Sequence, residues 1–428
     1  MPAALPSDEN GNDEQNMTLM LPGNLASVRC RQVRLFRRGS VMRARCQTIA
    51  RVALMLMSSL AIQHIARAAD PGTWSPAASL AVGRWHQTAT RLVSGQVLVA
   101  GGADLNGIQF SSVELYEPAT NTWSTTGSLA FARSTHSATL LMSGKVLVSG
   151  GQGGISSTEL YDPSTGAWSS AGSLSVPRFL PTTTLLSSGQ VLVAGGGDNT
   201  TGHAMASAEL YDPVTNTWSA TGALTVARYG HTATLLPSGR VLVAGGTGLG
   251  NDQLSSAELY DPTTNAWSPT GDLITARTFH SAALLHSGEV LVVGGESANG
   301  DALASAELYD PAAKAWSTTG ALATARELHT STIMASGQLL TVAGSALQFF
   351  QAIASSELFD AETNTWSTTG MLATARVGHT ATLLYTGQVL VTGGQNNGSE
   401  LASAELYQPL MTDKIFKNGF DAATPESN

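Results

Sequence analysis

From Arg228 to Trp267 the chain reads RYGHTATLLPSGRVLVAGGTGLGNDQLSSAELYDPTTNAW. This stretch contains four strand signals and the turns between them. The first runs from His231 to Leu236. Ser238-Gly239 then makes a tight turn, with glycine supplying positive φ. Val241 to Ala244 is a continuous apolar run, the pattern of a strand covered on both faces. After Gly245-Gly246 comes a loop, then a third strand at Ala257-Glu258-Leu259-Tyr260. Asp261-Pro262-Thr263-Thr264-Asn265 is a turn in which proline presets φ. The fourth strand carries Trp267.

The same unit recurs along the chain, and a period of this length marks a repeat architecture. Trp74, Trp123, Trp168, Trp218, Trp267, Trp316 and Trp366 are spaced by 49, 45, 50, 49, 49 and 50 residues. Each is followed ten residues later by an arginine: Arg84, Arg133, Arg178, Arg228, Arg277, Arg326 and Arg376. Glycine pairs close the apolar runs, as at Gly101-Gly102 and Gly393-Gly394; the sixth copy reads Gly344-Ser345 there. A Glu-Leu-Tyr-Asp-Pro sequence or a near relative follows, starting at Glu114, Glu159, Glu209, Glu258, Glu307, Glu357 and Glu405. No stretch shows a helical period.

Paired glycines after an apolar strand, then a spaced tyrosine and tryptophan, resemble the Kelch repeat. The resemblance covers residues 74–409. Its departures are Phe359 for tyrosine and Ser345 for glycine in the sixth copy, and Pro181 for histidine in the third. The resemblance implies an all-β, seven-bladed Kelch-type β-propeller. The phase of the repeat predicts how the ring closes. The first unit begins with only a fourth strand, around Trp74, and the last ends after a third strand, at Pro409. Pairing the two completes the seventh blade and removes an exposed sheet edge.

The ends of the chain differ from the repeats. Nine of the 22 basic residues are arginines within residues 1–68; eight precede an apolar run from Val52 to Ile62, and the ninth lies in Ala66-Arg67-Ala68. A basic lead, a short apolar core and an A-x-A end read as an export signal cut after Ala68, with Met42 an alternative start. A periplasmic or extracellular location is therefore expected, and no membrane span in the mature chain. Cutting there removes Cys30 and Cys46, the only two cysteines, and leaves 13 basic and 27 acidic residues, a net charge of −14. Nucleic acid and anionic membranes are then poor partners. The expected organisation is residues 1–68 for export, 69–409 for the propeller, and 410–428 as a tail. The tail holds Phe416 and Phe420 and reads either as a sorting element or as a flap on the propeller.

Residues kept in every copy read as structural. The Trp and Tyr series are expected to pack between blades, each aromatic removing ~150–250 Å² from water. That is worth roughly 4–6 kcal/mol before entropy. One Arg–Glu pair per blade is expected to bridge the first and third strands, within or between blades, fixing register more than adding net stability. His136, His231, His280, His329 and His379 follow the arginines by three residues and are expected to hydrogen-bond at the start of the first strand, rather than to hold a metal.

Function is expected where the copies differ: in the two residues after each arginine, and in the loop after each glycine pair. Both sets should fall on one face, beside the central channel, where loops vary on a rigid frame. The candidate ligand-binding rim is Trp85, His86, Phe179, Tyr229, Phe279, Glu327, Phe349 and Phe350. Asp198-Asn199, Asn251-Asp252 and Asp301 read as turn residues rather than calcium ligands. No catalytic residue, metal or cofactor is expected, and the chain is expected to be a monomer binding a protein or glycan. Two enzymatic alternatives share the fold. Arg277-Thr278-Phe279-His280-Ser281 resembles the galactose oxidase and glyoxal oxidase propellers, whose copper site needs a tyrosine cross-linked to cysteine. Here Phe279 precedes His280, and no cysteine follows Ala68. A sialic-acid-epimerase-type propeller would need a base, for which Glu327 is the candidate.

Overall fold

The computed structural model describes residues 72–346 and 351–410. Among these, the repeated pattern becomes seven four-stranded antiparallel sheets, with no helix. Blade four shows the plan: Thr232–Leu235, Val241–Ala244, Ala257–Asp261 and Ala266–Pro269, each hydrogen-bonded to the next. The inner strands follow one another around an axis, and that of blade seven, Thr380–Leu383, returns to that of blade one, Thr88–Arg91. Blade seven closes as the phase predicts. Thr73–Ala77 lies antiparallel to Ala404–Gln408, in the register Thr73↔Gln408 to Ala77↔Ala404. Residues 1–68, expected to serve export, with both cysteines, and Phe349, Phe350 and residues 411–428 lie outside the described residues.

The core sits between blades. One cluster joins Leu242, Ala244, Ala257 and Leu259 of blade four to Val290, Val292 and Tyr309 of blade five. A cluster of the same kind joins blade seven to blade one through Leu390, Ala404, Val97, Val99 and Tyr116. The second strands are buried along their whole length because both their faces meet a neighbouring sheet. The tyrosines are buried and touch the tryptophan of their own blade, as in Tyr260–Trp267 with ring centroids 5.1 Å apart. Most of the indole N–H groups reach across to the preceding blade: Trp267 donates to Gly222 O at 2.8 Å, and Trp74 to Gly370 O at 3.0 Å. Trp218 also reaches the preceding blade, but its acceptor is a hydroxyl, Thr158 Oγ1.

Each arginine ties one blade together. Arg277, fully buried, donates from Nη1 to the carbonyls of Gly294 and Ser305, and from Nη2 to Ser305 Oγ and Glu307 Oε1. Glu307 Oε2 accepts the Ile274 amide in the segment entering the blade. All seven Arg–Glu pairs form, at 2.6–3.0 Å, and each lies within a blade. Burial lowers each guanidinium's pKa and the paired glutamate opposes the shift. The carbonyl-rich cage satisfies the Nη donors that burial would otherwise orphan, and Nε finds a carbonyl two residues back in five of the seven, Arg133 and Arg178 excepted.

One register reading needs correcting. In the sixth blade Ser345 does not replace a glycine: it bridges Glu327 as Ala103 bridges Trp85 in the first. Gly344, at φ 101°, holds the second glycine position, and Ala343, at φ 54°, holds the first. Arg326 donates to Ala343 O where Arg277 donates to Gly294 O. Glycine is favoured at the first position because the φ there is positive and the next blade is close. A Cβ on Gly245 would lie 2.5 Å from Arg277 O. Ala343 carries that strain while completely buried.

Candidate functional site

The two residues after each arginine sit on the face where the second strands end. They play different parts. The first residue adds a rung beyond the inner strand: Trp85 bridges Ala103, Tyr229 bridges Thr247, Thr278 bridges Glu296, and Val377 bridges Gln395. The second residue has positive φ in all seven blades: His86, Thr135, Leu180, Gly230, Phe279, Leu328 and Gly378, at 48° to 64°. These seven ring the mouth of the channel. Their backbones bond from blade to blade. The Thr135 amide donates to His86 O, Leu180 to Thr135 O, Phe279 to Gly230 O, Leu328 to Phe279 O, and His86 to Gly378 O, at 2.9–3.1 Å. A left-handed residue turns each chain so that its N–H meets the neighbour's carbonyl; strain at non-glycine positions is the cost.

The mouth opens into a cavity of about 290 Å³. Its lip has an apolar side, Leu180, Phe279 and Leu328, and a polar side, His86 and Thr135. The two glycines lie where a bulky neighbour leans back over them. A Cβ on Gly230 would come within 3.1 Å of the Phe279 ring, and one on Gly378 within 3.3 Å of Trp85. His86 stacks on Trp85, with centroids 4.0 Å apart, and burial pushes its pKa down to about 4.

Just inside lies a second ring. His136 Nε2 bonds Thr88 Oγ1, His231 bonds Thr182, His280 bonds Thr232, His329 bonds Ser281, and His379 bonds Thr330, all at 2.8–3.0 Å. Each links its blade to the one before. Where histidine is missing the link survives in another form: Ser137 Oγ donates to Pro181 O, and Gln87 Nε2 donates to Thr392 O across the closure. Thr182 Oγ1 also donates to Ala194 O, so it accepts from His231, which assigns the proton to Nε2. Burial, with the adjacent arginine adding, pushes His136, His231 and His379 down to about 3, and His280 and His329 well below the ordinary range. Neutral, hydroxyl-bound imidazoles join blades; they are poorly suited to proton transfer near neutral pH.

The candidate rim residues are placed as follows. His86 and Phe279 line the mouth. Trp85, Phe179 and Tyr229 occupy the outer rung. Trp85 Nε1 donates to Asp104 O at 3.1 Å, and Phe179 lies 5.6 Å from Tyr229. Glu327 is on the same rung, bridging Ser345, but is fully buried. Phe349 and Phe350 lie outside the described residues. A recess of about 590 Å³ opens beside Trp85 at the ring closure, lined by Val82, Gly83, Asp104, Phe110, Ser399 and Glu400. Asp198 spends its carboxylate on Thr200 and Thr201 of its own turn, and these bonds lower its pKa. Sequence reasoning treated both positions of each pair alike. Thr135, Leu180 and Leu328 at the lip fall within the variable pairs but not among the candidate rim residues, since nothing in a threonine or leucine announces positive φ.

The family model described as the KLHDC2/KLHL20/DRC7 Kelch-repeats domain matches residues 181–394. The chain belongs to the Kelch-repeat family. A search of curated proteins gives no match. Among solved structures, a fungal alcohol oxidase of the AA5 family, in complex with copper, aligns with a TM-score of 0.68 at 19% identity. The alignment covers 79% of this chain and 77% of that one, and the likeness is one of fold. The residues of this Kelch propeller do not fit a copper centre. Phe279 offers no phenol, His280 Nε2 is held by Thr232 Oγ1, and no three His, Cys, Asp or Glu side chains converge among the described residues.

Proposed function

We infer that this Kelch propeller is an exported, monomeric recognition module without catalytic activity, which binds a protein or glycan on its loop face. One observation carries the reading. Within four consecutive residues of each blade, the arginine repeats in all seven and the histidine in five, the arginine Nη groups and the histidine Nε2 engaged in the frame, while the two between differ from blade to blade and form the mouth and its outer rung. A fixed frame with a varied, half-buried aromatic and polar rim suits recognition. Trp85, Phe179, Tyr229 and Phe279 supply apolar faces, and His86 and Thr135 supply polar groups beside them. No cofactor enters the proposal.

The test is a glycan array together with a pull-down, using the chain from Ala69. A ligand that is lost on Trp85→Ala and Tyr229→Ala, with melting little changed, supports the proposal. A ligand retained by both variants places binding elsewhere and overturns it. Purified protein carrying stoichiometric copper and oxidising alcohols would replace it with an oxidase. Cell fractionation that finds the full-length chain in the cytoplasm would remove the export part.

A further inference from the structure

The face opposite the mouth carries the turns between first and second strands. Three of these turns, in blades seven, one and two, present exposed apolar side chains: Tyr385, Val93 and Met142, at 65%, 68% and 69%. They form one arc. Each lies over the turn glycine of the following blade: a Cβ on Gly95 would sit 3.1 Å from the Tyr385 ring, one on Gly144 3.7 Å from Val93, and one on Gly189 3.5 Å from Met142 Sδ. Arg91 stacks on Tyr385 at 4.1 Å and donates to Leu383 O, which fixes the ring at the closure. In the other inner strands leucine or isoleucine holds Arg91's place, so the bracket is particular to this arc.

The chain leaves the ring on this same face. The ends of the third strands reach the starts of the second: Lys145 pairs with Asp162 at 3.0 Å, and Arg240 with Asp261 at 2.9 Å. In blade seven Val389, just past the turn that holds Tyr385, is paired with Tyr407. Leu410, 43% exposed, is three residues further on. The sequence that follows, from Lys414 to Phe420, holds Ile415, Phe416 and Phe420 with Lys414 and Lys417, and no acid. At ~3.3 Å per residue, Phe416 and Phe420 reach at most about 20 Å and about 33 Å from Leu410. The third strands of the blades on either side of blade seven end in acids, Glu117 and Asp360.

We propose that the arc of Tyr385, Val93 and Met142 is the docking surface for the chain's own segment 414–420. Its phenylalanines cover the arc and its lysines face Glu117 and Asp360. An exposed apolar arc is unfavourable in water, and the apolar sequence 414–420 is tethered to the ring through Leu410, on the same face. This goes beyond the loop-face reading and does not depend on it.

Methionine oxidation tests the proposal directly. Met142 and Met371 are about equally exposed on the ring, at 69% and 66%; Met142 belongs to the arc, and Met371 lies outside it, after the fourth strand of blade six. In the purified full chain treated with peroxide, Met142 should form sulfoxide at least about threefold more slowly than Met371. The double change Phe416→Asp and Phe420→Asp should bring the two rates together without shifting the melt. Equal rates in the unaltered chain overturn the proposal, as does protection that survives the double change. Protection that fades on dilution assigns the arc to a second copy and overturns it as well.

Discussion

Arg277 and His280 bracket Thr278 and Phe279, yet the two pairs obey opposite rules. Arg277 is fully buried, and its guanidinium is held by two carbonyls, a serine and Glu307. His280 is neutral and bound to the neighbouring blade. Their places repeat because each secures its blade through buried polar bonds, Arg277 through all three nitrogens and His280 through Nε2, and a missing partner for the buried charge costs several kcal/mol. Thr278 and Phe279 lie one peptide away, but what is fixed for them is only the backbone: a rung and a left-handed turn. Their side chains meet the channel mouth or a neighbouring loop, so different blades fill the positions differently. The same few residues therefore contain both the fold and its freedom to diversify.

Four changes probe that contrast. The largest effect is expected on the frame side. Arg277→Met leaves Glu307 buried without its cation and should lower unfolding free energy by about 3–5 kcal/mol in denaturant titration; an unchanged midpoint would erase the distinction between frame and rim. Gly230→Val adds β-branching at φ 63° under Phe279 and should cost about 2–3 kcal/mol, part of which Phe279→Ala returns. This would show that the rim varies only in coupled pairs.

The third change uses pH. His231 unfolded takes up a proton below about pH 6.5, and folded only near pH 3. Between those values the unfolded state binds more protons, so this residue makes stability fall as pH falls, with no further loss below about 3. His231→Gln, copying Gln87, should make the loss between pH 7.5 and 5 smaller by about 2 kcal/mol. Parallel pH–melting curves for the two proteins would deny the buried neutral imidazole. The smallest effect has the opposite sign. Ala343→Gly should stabilise by about 0.5–1 kcal/mol, since glycine relieves the left-handed strain at some cost in chain entropy.

Much of this was legible beforehand. The tryptophan spacing and the glycine pairs carry the blades, and the incomplete first and last units carry the closure, because every blade solves one packing problem with one set of residues. The Arg–Glu bridge was legible, but not its confinement to a single blade; that depends on where the third strand turns back. The sixth-blade register was misplaced at Gly344-Ser345, although counting from Ser336-Gly337, as from Ser94-Gly95 in the first, puts Ala343 opposite Gly101. Of the candidate site, the face and the variable pairs could be read. The left-handed ring could not, since threonine, leucine and phenylalanine occupy it only because neighbouring carbonyls hold them there.

The seam has a consequence in time. Trp74 and its acceptor Gly370 are 296 residues apart, so the first strand to leave the ribosome finds its place only after nearly every other strand has been made. At ~5–20 residues per second, that wait lasts on the order of tens of seconds. Until then Thr73–Ala77 has no sheet to join and blade seven presents a bare edge, the kind of surface that recruits the wrong chain. The final stitch is thus also the moment at which a nascent molecule stops being vulnerable to its neighbours.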